Sequence, residues 1–128
     1  MEPIFDKNGN VVGWIVPPDA IVDGQGNYRA LISNGAIFDY KPHYLGRLHD
    51  GYLWDQDGNA VASIIGASNG PVLQRKGVIP RPPVVRPEPV RPSPPPVPER
   101  IPAYSKKWSE LSWDEFLSGR HVFIAYHS

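Results

Sequence analysis

The chain has 128 residues, 13 basic and 13 acidic side chains that balance to zero net charge, 16 prolines, 12 glycines and no cysteine. The lack of cysteine excludes a disulfide staple and any thiolate zinc site. No apolar run approaches the length that spans a membrane, so no membrane partner is expected.

The charge is unevenly placed. Residues 1–68 hold four Lys/Arg against eight Asp/Glu, residues 69–103 six against two, and residues 104–128 three of each. An acidic head argues against nucleic acid as its partner, and it lets a basic linker lie against it. The first residues, Met1-Glu2-Pro3-Ile4-Phe5-Asp6, are not a basic region followed by an apolar run. They do not read as a signal peptide, and a cytoplasmic location is the expectation.

From Pro3 to Ser68 one short unit is written four times: Ile4-Phe5-Asp6, Ile21-Val22-Asp23, Ile37-Phe38-Asp39 and Leu53-Trp54-Asp55, with the aspartates 17, 16 and 16 residues apart. Three residues after each Asp stands Gly9, Gly26, Pro42 or Gly58, followed by Asn10, Asn27, His43 or Asn59. Seven after it the side chain is small (Gly13, Ala30, Gly46, Ala62), and nine after it a branched aliphatic (Ile15, Ile32, Leu48, Ile64). Gly or Pro inside every unit argues against helix. Asp, Asn and Gly between two short apolar runs predict β-hairpins, most clearly at Asn8-Gly9 and Asp57-Gly58.

Period-two alternation puts Val11, Gly13 and Ile15 on one face of the strand after the turn, and likewise Tyr44, Gly46 and Leu48. The other face (Val12 and Trp14, Arg29 and Leu31, Leu45 and Arg47, Val61 and Ser63) is mixed and expected to be partly solvated. Four hairpins about a common axis bring the small residues together, each unit burying the face its neighbour leaves open.

These four Ile/Leu-bulky-Asp units, with their Gly-containing turns, resemble the small bacterial four-fold beta-flower domain. The resemblance covers the first half of the chain and a short Trp-rich tail. It implies four β-hairpins set like petals about a pseudo-fourfold axis, and it carries over no catalytic residues. Pro42-His43, in place of Gly-Asn, is this chain's departure from the pattern.

Pro17-Pro18-Asp19, Ser33-Asn34-Gly35 and Asp50-Gly51 connect the units. After Ala67-Ser68-Asn69-Gly70-Pro71, the run Val72–Ile79 is a candidate short extra strand. From Pro80 to Pro102, eleven of 23 residues are proline, which forbids helix and central strand. Polyproline II, at about 3.1 Å per residue, gives this tract a reach on the order of 70 Å as a stiff spacer. It also carries two groove-ligand patterns: Arg86, Pro89 and Pro92 fit R-x-x-P-x-x-P, and Pro95, Pro98 and Arg100 fit P-x-x-P-x-R.

In the tail, Ser112-Trp113-Asp114-Glu115 forms a capping box, with Leu111 and Phe116 at the staple positions and Gly119 placed to end a helix over about 113–118. His121–Tyr126 reads as a strand. So short a helix does not stand alone. Trp108, Trp113 and Phe116 are the anchors by which the tail docks on its own domain, on another copy or on another protein.

Signals for chemistry are few. The repeat aspartates are expected to accept turn N–H bonds rather than hold a cation. Asp55-Gln56-Asp57-Gly58 lacks the further ligands of a calcium loop. His43, His49, His121 and His127 are expected to be isolated rather than zinc ligands, and neither a Ser-His-Asp nor a Gly-rich phosphate signature is present. No cofactor is expected.

The sequence thus predicts an all-β domain of four hairpins about a pseudo-fourfold axis (1–78), a proline-rich linker (79–103) and a docking tail with a short helix and a strand (104–128). The leading function is a non-catalytic interaction or structural module, self-associating through its tail into a homo-oligomer, with a protein partner for the proline tract. The alternative is a glycan- or peptide-binding domain using the aromatics Trp14, Tyr40 and Trp54. An enzyme of unspecified reaction is the third class, and it requires Asp and His to meet in one pocket.

Overall fold

The structure is a computed structural model and describes residues 1–119. Each repeat unit forms an antiparallel pair: β1 (Glu2–Phe5) with β2 (Val11–Val16), β3 (Ala20–Asp23) with β4 (Tyr28–Ser33), β5 (Ala36–Asp39) with β6 (Tyr44–His49), and β7 (Tyr52–Trp54) with β8 (Ala60–Ser63). Neighbouring hairpins also pair, and the eight strands close into a barrel in sequence order. The closing pair is short, a single register match of Phe5 with Ser63.

The repeat Asp builds each hairpin turn. In all four, its Oδ1 accepts the backbone N–H two and four residues on, as at Asp6 from Asn8 and Asn10 (2.9 and 3.0 Å) and at Asp55 from Asp57 and Asn59 (2.9 and 3.0 Å). The Gly of the turn donates back to the Asp carbonyl in the first, second and fourth hairpins. Pro42 has no N–H to do so in the third.

A bulge interrupts each hairpin register, at Ile4/Phe5, Ile21/Val22, Ile37/Phe38 and Leu53/Trp54. One extra residue re-aims the side chains beyond it, which corrects the simple alternation. Leu45 and Val61 join Ile4, Ile21, Ile37 and Leu53 in the core, and Val12, Ile15, Ile32, Leu48 and Ile64 flank it half-buried. Tyr44, expected to face inward, is half-buried beside surface cavities instead.

The small residues act as expected, with one addition. Ala30 and Ala62 are fully buried. At Gly46 a Cβ would strike the Trp54 carbonyl and the Phe116 ring, and at Gly13 it would meet the Val22 carbonyl and the Trp113 ring. They make room for α1 (Trp113–Leu117), whose Trp113, Phe116 and Leu117 complete the barrel core. Its capping box forms as predicted: Ser112 Oγ accepts from Glu115 N–H at 3.1 Å, and Glu115 Oε1 accepts from Ser112 N–H at 3.0 Å. The helix ends at Gly119, with φ +82°. The tail therefore docks on its own chain. The expected strand at His121–Tyr126 lies outside the described residues.

Candidate functional site

The proline tract does not project as a spacer. It wraps the barrel as a belt, and the hairpin turns hold it in sequence order. Gly77 N–H donates to Gly9 O (3.0 Å), Arg86 N–H to Gly26 O (2.9 Å) and Ser105 N–H to Gly58 O (2.9 Å). These are equivalent positions of three repeats, and each meets a non-proline residue, which keeps its N–H. The backbone carbonyls of Arg75, Val84 and Ala103 stand where a Cβ on those glycines would be. The turn glycines thus serve left-handed geometry and belt approach together. At the third turn, which has Pro42, the chain passes with Pro95 and Pro96, two residues without a donor. Val72–Ile79 forms no strand. It leads into the belt.

Side chains clamp the belt midway. Arg91 Nη1 donates to both oxygens of Asp19 (2.9 and 2.8 Å), Arg91 Nη2 donates to Glu88 at 2.8 Å, and Tyr40 Oη donates to the same Glu88 oxygen at 2.8 Å. The basic linker does lie on the acidic head. Burial, then the bond to Glu88, pushes the Tyr40 hydroxyl well above its ordinary pKa. At Asp23 burial acts upward, but N–H bonds from Asn27 and Gln25, the Asn27 amide and Arg29 outweigh it and hold the carboxyl below its usual range.

After the belt, residues 107–109 enter the seam beside β8. Ala60 donates its N–H to Lys107 O (3.0 Å) and accepts from Ser109 N–H (2.7 Å). Ser109 Oγ donates to Asp55 Oδ2 at 2.5 Å, both side chains being buried.

The sequence-predicted residues separate into two groups. Trp14 and Trp54 are 3% and 1% exposed, which corrects their assignment to an aromatic surface. Trp54 is roofed by Tyr104, whose ring also stacks on His49, and its Nε1–H donates to His49 O. That cover comes from a segment far along the chain, so local alternation could not show it. Tyr40 is half-buried and committed to Glu88. Of the tail anchors, Trp113 and Phe116 are in the core, and Trp108 packs on Tyr52 and donates to Val72 O.

The groove-ligand motifs are turned partly inward. Arg86 is tied to Gly26 O and Gln25 O, Pro92 and Pro95 are half-buried, and Pro98 and Arg100 line a cavity of about 190 Å³ with Tyr44, Arg47 and Tyr104. Arg86, Pro89, Pro98 and Arg100 nonetheless remain exposed. One edge of the belt faces wholly outward. Val78, Val84 and Val90 are 94%, 89% and 93% exposed, six residues apart, with Arg81 and Pro87 exposed between them and Ser93 exposed beyond. Polyproline II has about three residues per turn, so this row is one face of the belt.

Among the described residues Asp and His meet at two places, His43 Nδ1 lying 3.1 Å from Asp39 Oδ2 and His49 Nε2 lying 3.4 Å from Oδ2 of the adjacent Asp50. In the second hairpin the Asn27 amide occupies the place of the His43 ring, against Asp23 Oδ2 at 3.2 Å, so the His43 contact is also a turn device. Among the described residues, no three His, Asp or Glu side chains converge as metal ligands. Nor is any helix among them long and apolar enough to cross a membrane.

A closed barrel of four pseudosymmetric hairpins, belted at its turns and plugged by its own tail helix, defines a repeat-built all-β protein. The chain belongs to the 4-fold beta flower protein family, whose model matches residues 2–117. The match runs through barrel, belt and helix, so it extends well beyond the repeats. No curated protein and no solved structure matches the chain.

Proposed function

We propose that the chain is a non-catalytic interaction module whose recognition element is the outward edge of the belt. The observation that carries this is the row of Val78, Val84 and Val90, each about nine-tenths exposed on a segment pinned at both ends of its course and clamped by Arg91. Isolated exposed apolar residues are ordinary. A regular row on a tethered polyproline strand is what an aromatic-lined groove reads. Holding the strand in its bound shape lowers the ordering cost of binding. The partner class is therefore a protein with a polyproline-reading groove. Because the motif faces of Arg86, Pro92 and Pro95 are partly occupied, the valine row sets the specificity.

The test is calorimetric titration of the full chain with a panel of polyproline-reading domains. At least one should bind, and Val84→Ser with Val90→Ser should weaken it by about tenfold, within the range for losing apolar contacts in a groove. Binding that survives the double variant, or a panel with no binder, removes the proposal. Light scattering on the same samples reports whether the module acts singly or as an oligomer.

A further inference from the structure

Two departures from the four-fold repeat fall together in space, and this observation is independent of the belt. Six residues after each repeat Asp stand Val12, Arg29, Leu45 and Val61. The three apolar side chains pack in or against the barrel core, and Arg29 alone does not. Four residues after the Asp, only His43 replaces Asn. Both departures line one cavity of about 390 Å³ between the second and third hairpins, shared with Tyr28, Tyr40 and Lys41. Where every local choice otherwise agrees with the fold, the residues that break the rule mark a functional site.

We propose that this cavity binds a small phosphorylated molecule through Arg29, Lys41 and His43. The Arg29 guanidinium is positioned from behind by Asp23, with Nη1 3.5 Å from Oδ2, and its side chain is one-third exposed. Lys41 is exposed, and its ammonium has no partner among the described residues. His43 presents its Nδ1 side to Asp39, which leaves Nε2 for a ligand. Asp39, the one carboxylate in the lining, is already engaged: Oδ1 accepts from Lys41 N–H (2.9 Å) and His43 N–H (2.6 Å), and Oδ2 faces the His43 ring.

At the adjoining end of α1, the carbonyl of Asp114 accepts from Ser118 N–H, that of Phe116 from Gly119 N–H, and that of Glu115 from Ser118 Oγ. Three cationic or donor groups on one lining suit a tetrahedral dianion better than a planar carboxylate, and a guanidinium fork takes two of its oxygens at once. The Tyr28 and Tyr40 rings, edge to face at 6.4 Å, wall the side where the rest of the molecule would lie.

The experiment is NMR titration of the full chain with inorganic phosphate and phenyl phosphate, with acetate and phenol as controls. Expected are saturable shifts at Arg29, Lys41 and His43 with both phosphates and none with phenol. Arg29→Val installs the residue type that the other repeats carry. It should weaken phosphate binding by about tenfold or more while the thermal midpoint holds or rises, as when a functional residue is exchanged for a structural one. Lys41→Gln leaves the backbone N–H bond to Asp39 in place and should also weaken binding with the midpoint unchanged.

Three results overturn the proposal. The first is no saturable shift, or acetate binding as tightly as phosphate. The second is unchanged affinity in either variant, which assigns the anion to the basic belt in general. The third is an Arg29→Val chain that melts well below the parent, which makes Arg29 a structural partner of Asp23.

Discussion

The backbone amide of Arg86 donates to the carbonyl of Gly26 at 2.9 Å, and the carbonyl of Val84 lies where a Gly26 Cβ would be. Turn and belt are therefore one device. Gly26→Ala meets two obstacles, a φ of +84° and the belt itself, whereas a Cβ on Gly24 in the same turn has nothing within 4 Å. Gly26→Ala should cost on the order of 1–3 kcal/mol and Gly24→Ala close to nothing in denaturant unfolding. Equal effects would mean that the belt does not bear on the turn.

The clamp at Arg91 is a local matter. Its side chain is 43% exposed and those of Asp19 and Glu88 about a third, so water and salt screen the pairs and Arg91→Ala should leave the global unfolding transition nearly unchanged. The informative readout is hydrogen exchange. Exchange around residues 86–95 should rise in Arg91→Ala and in high salt, while the barrel strands keep their protection. Uniform loss of protection would make the clamp part of the global fold.

What was legible in the sequence was whatever is fixed within one unit. The Asp-anchored turns, the small-residue positions and the Ser112–Glu115 capping box depend on residues two to four apart, and each forms as its spacing implies. The inward position of Leu45 and Val61 was hidden because a bulge adds a residue without a compositional sign. The burial of Trp54 was hidden for another reason. Its roof, Tyr104, comes from a segment that returns only after the whole belt has passed. Proline content specifies an extended backbone but not where it runs. The donors to the three turn glycines, Gly77, Arg86 and Ser105, stand among many other non-proline residues in the same stretch, so composition does not single them out. The cavity at Arg29 was visible as a flaw in the repeat, once the core was known to require an apolar side chain there.

Two ionisable groups set opposite pH limits. The folded-state pKa of Asp23 lies below its ordinary value of 3.8. Its contribution is therefore fully present above that value and is lost as pH falls through the folded pKa. Asp23→Asn should remove this part of the acid limb. Tyr40 is shifted upward from 10.0, so the neutral hydroxyl is favoured. Its contribution is whole below that value and is lost as pH rises through the folded pKa. Tyr40→Phe should make the alkaline limb of a stability–pH curve shallower, Tyr44 and Tyr52, both raised by burial, carrying the remainder, with the acid limb unchanged. A parent-like alkaline limb in Tyr40→Phe would detach the Tyr40–Glu88 bond from stability.

The helix plug offers a paired test. Phe116 is 1% exposed in the barrel core, so Phe116→Ala should cost about 3–5 kcal/mol. Trp113 is also in the core, but its Nε1–H is buried without a partner among the described residues. An unmet buried donor costs on the order of 1–3 kcal/mol. Trp113→Phe removes that penalty while keeping an aromatic ring against Gly13, so it should be much milder than Phe116→Ala in thermal unfolding. If it proves as severe, the indole fills space that no smaller ring can.

The barrel's closure on itself is its weakest point, because β1 and β8 share one register match and residues 107–109 occupy the seam beside Ala60. A chain ended after Gly77 loses the plug, the seam segment and the roof over Trp54 together. It should give no cooperative unfolding transition, since too little apolar core remains for a domain of that length. Adding a peptide of residues 78–119 in excess should restore the transition, with a midpoint that climbs with peptide concentration as binding to the folded state requires. A cooperative transition in the shortened chain alone would show that the hairpins close without their tail.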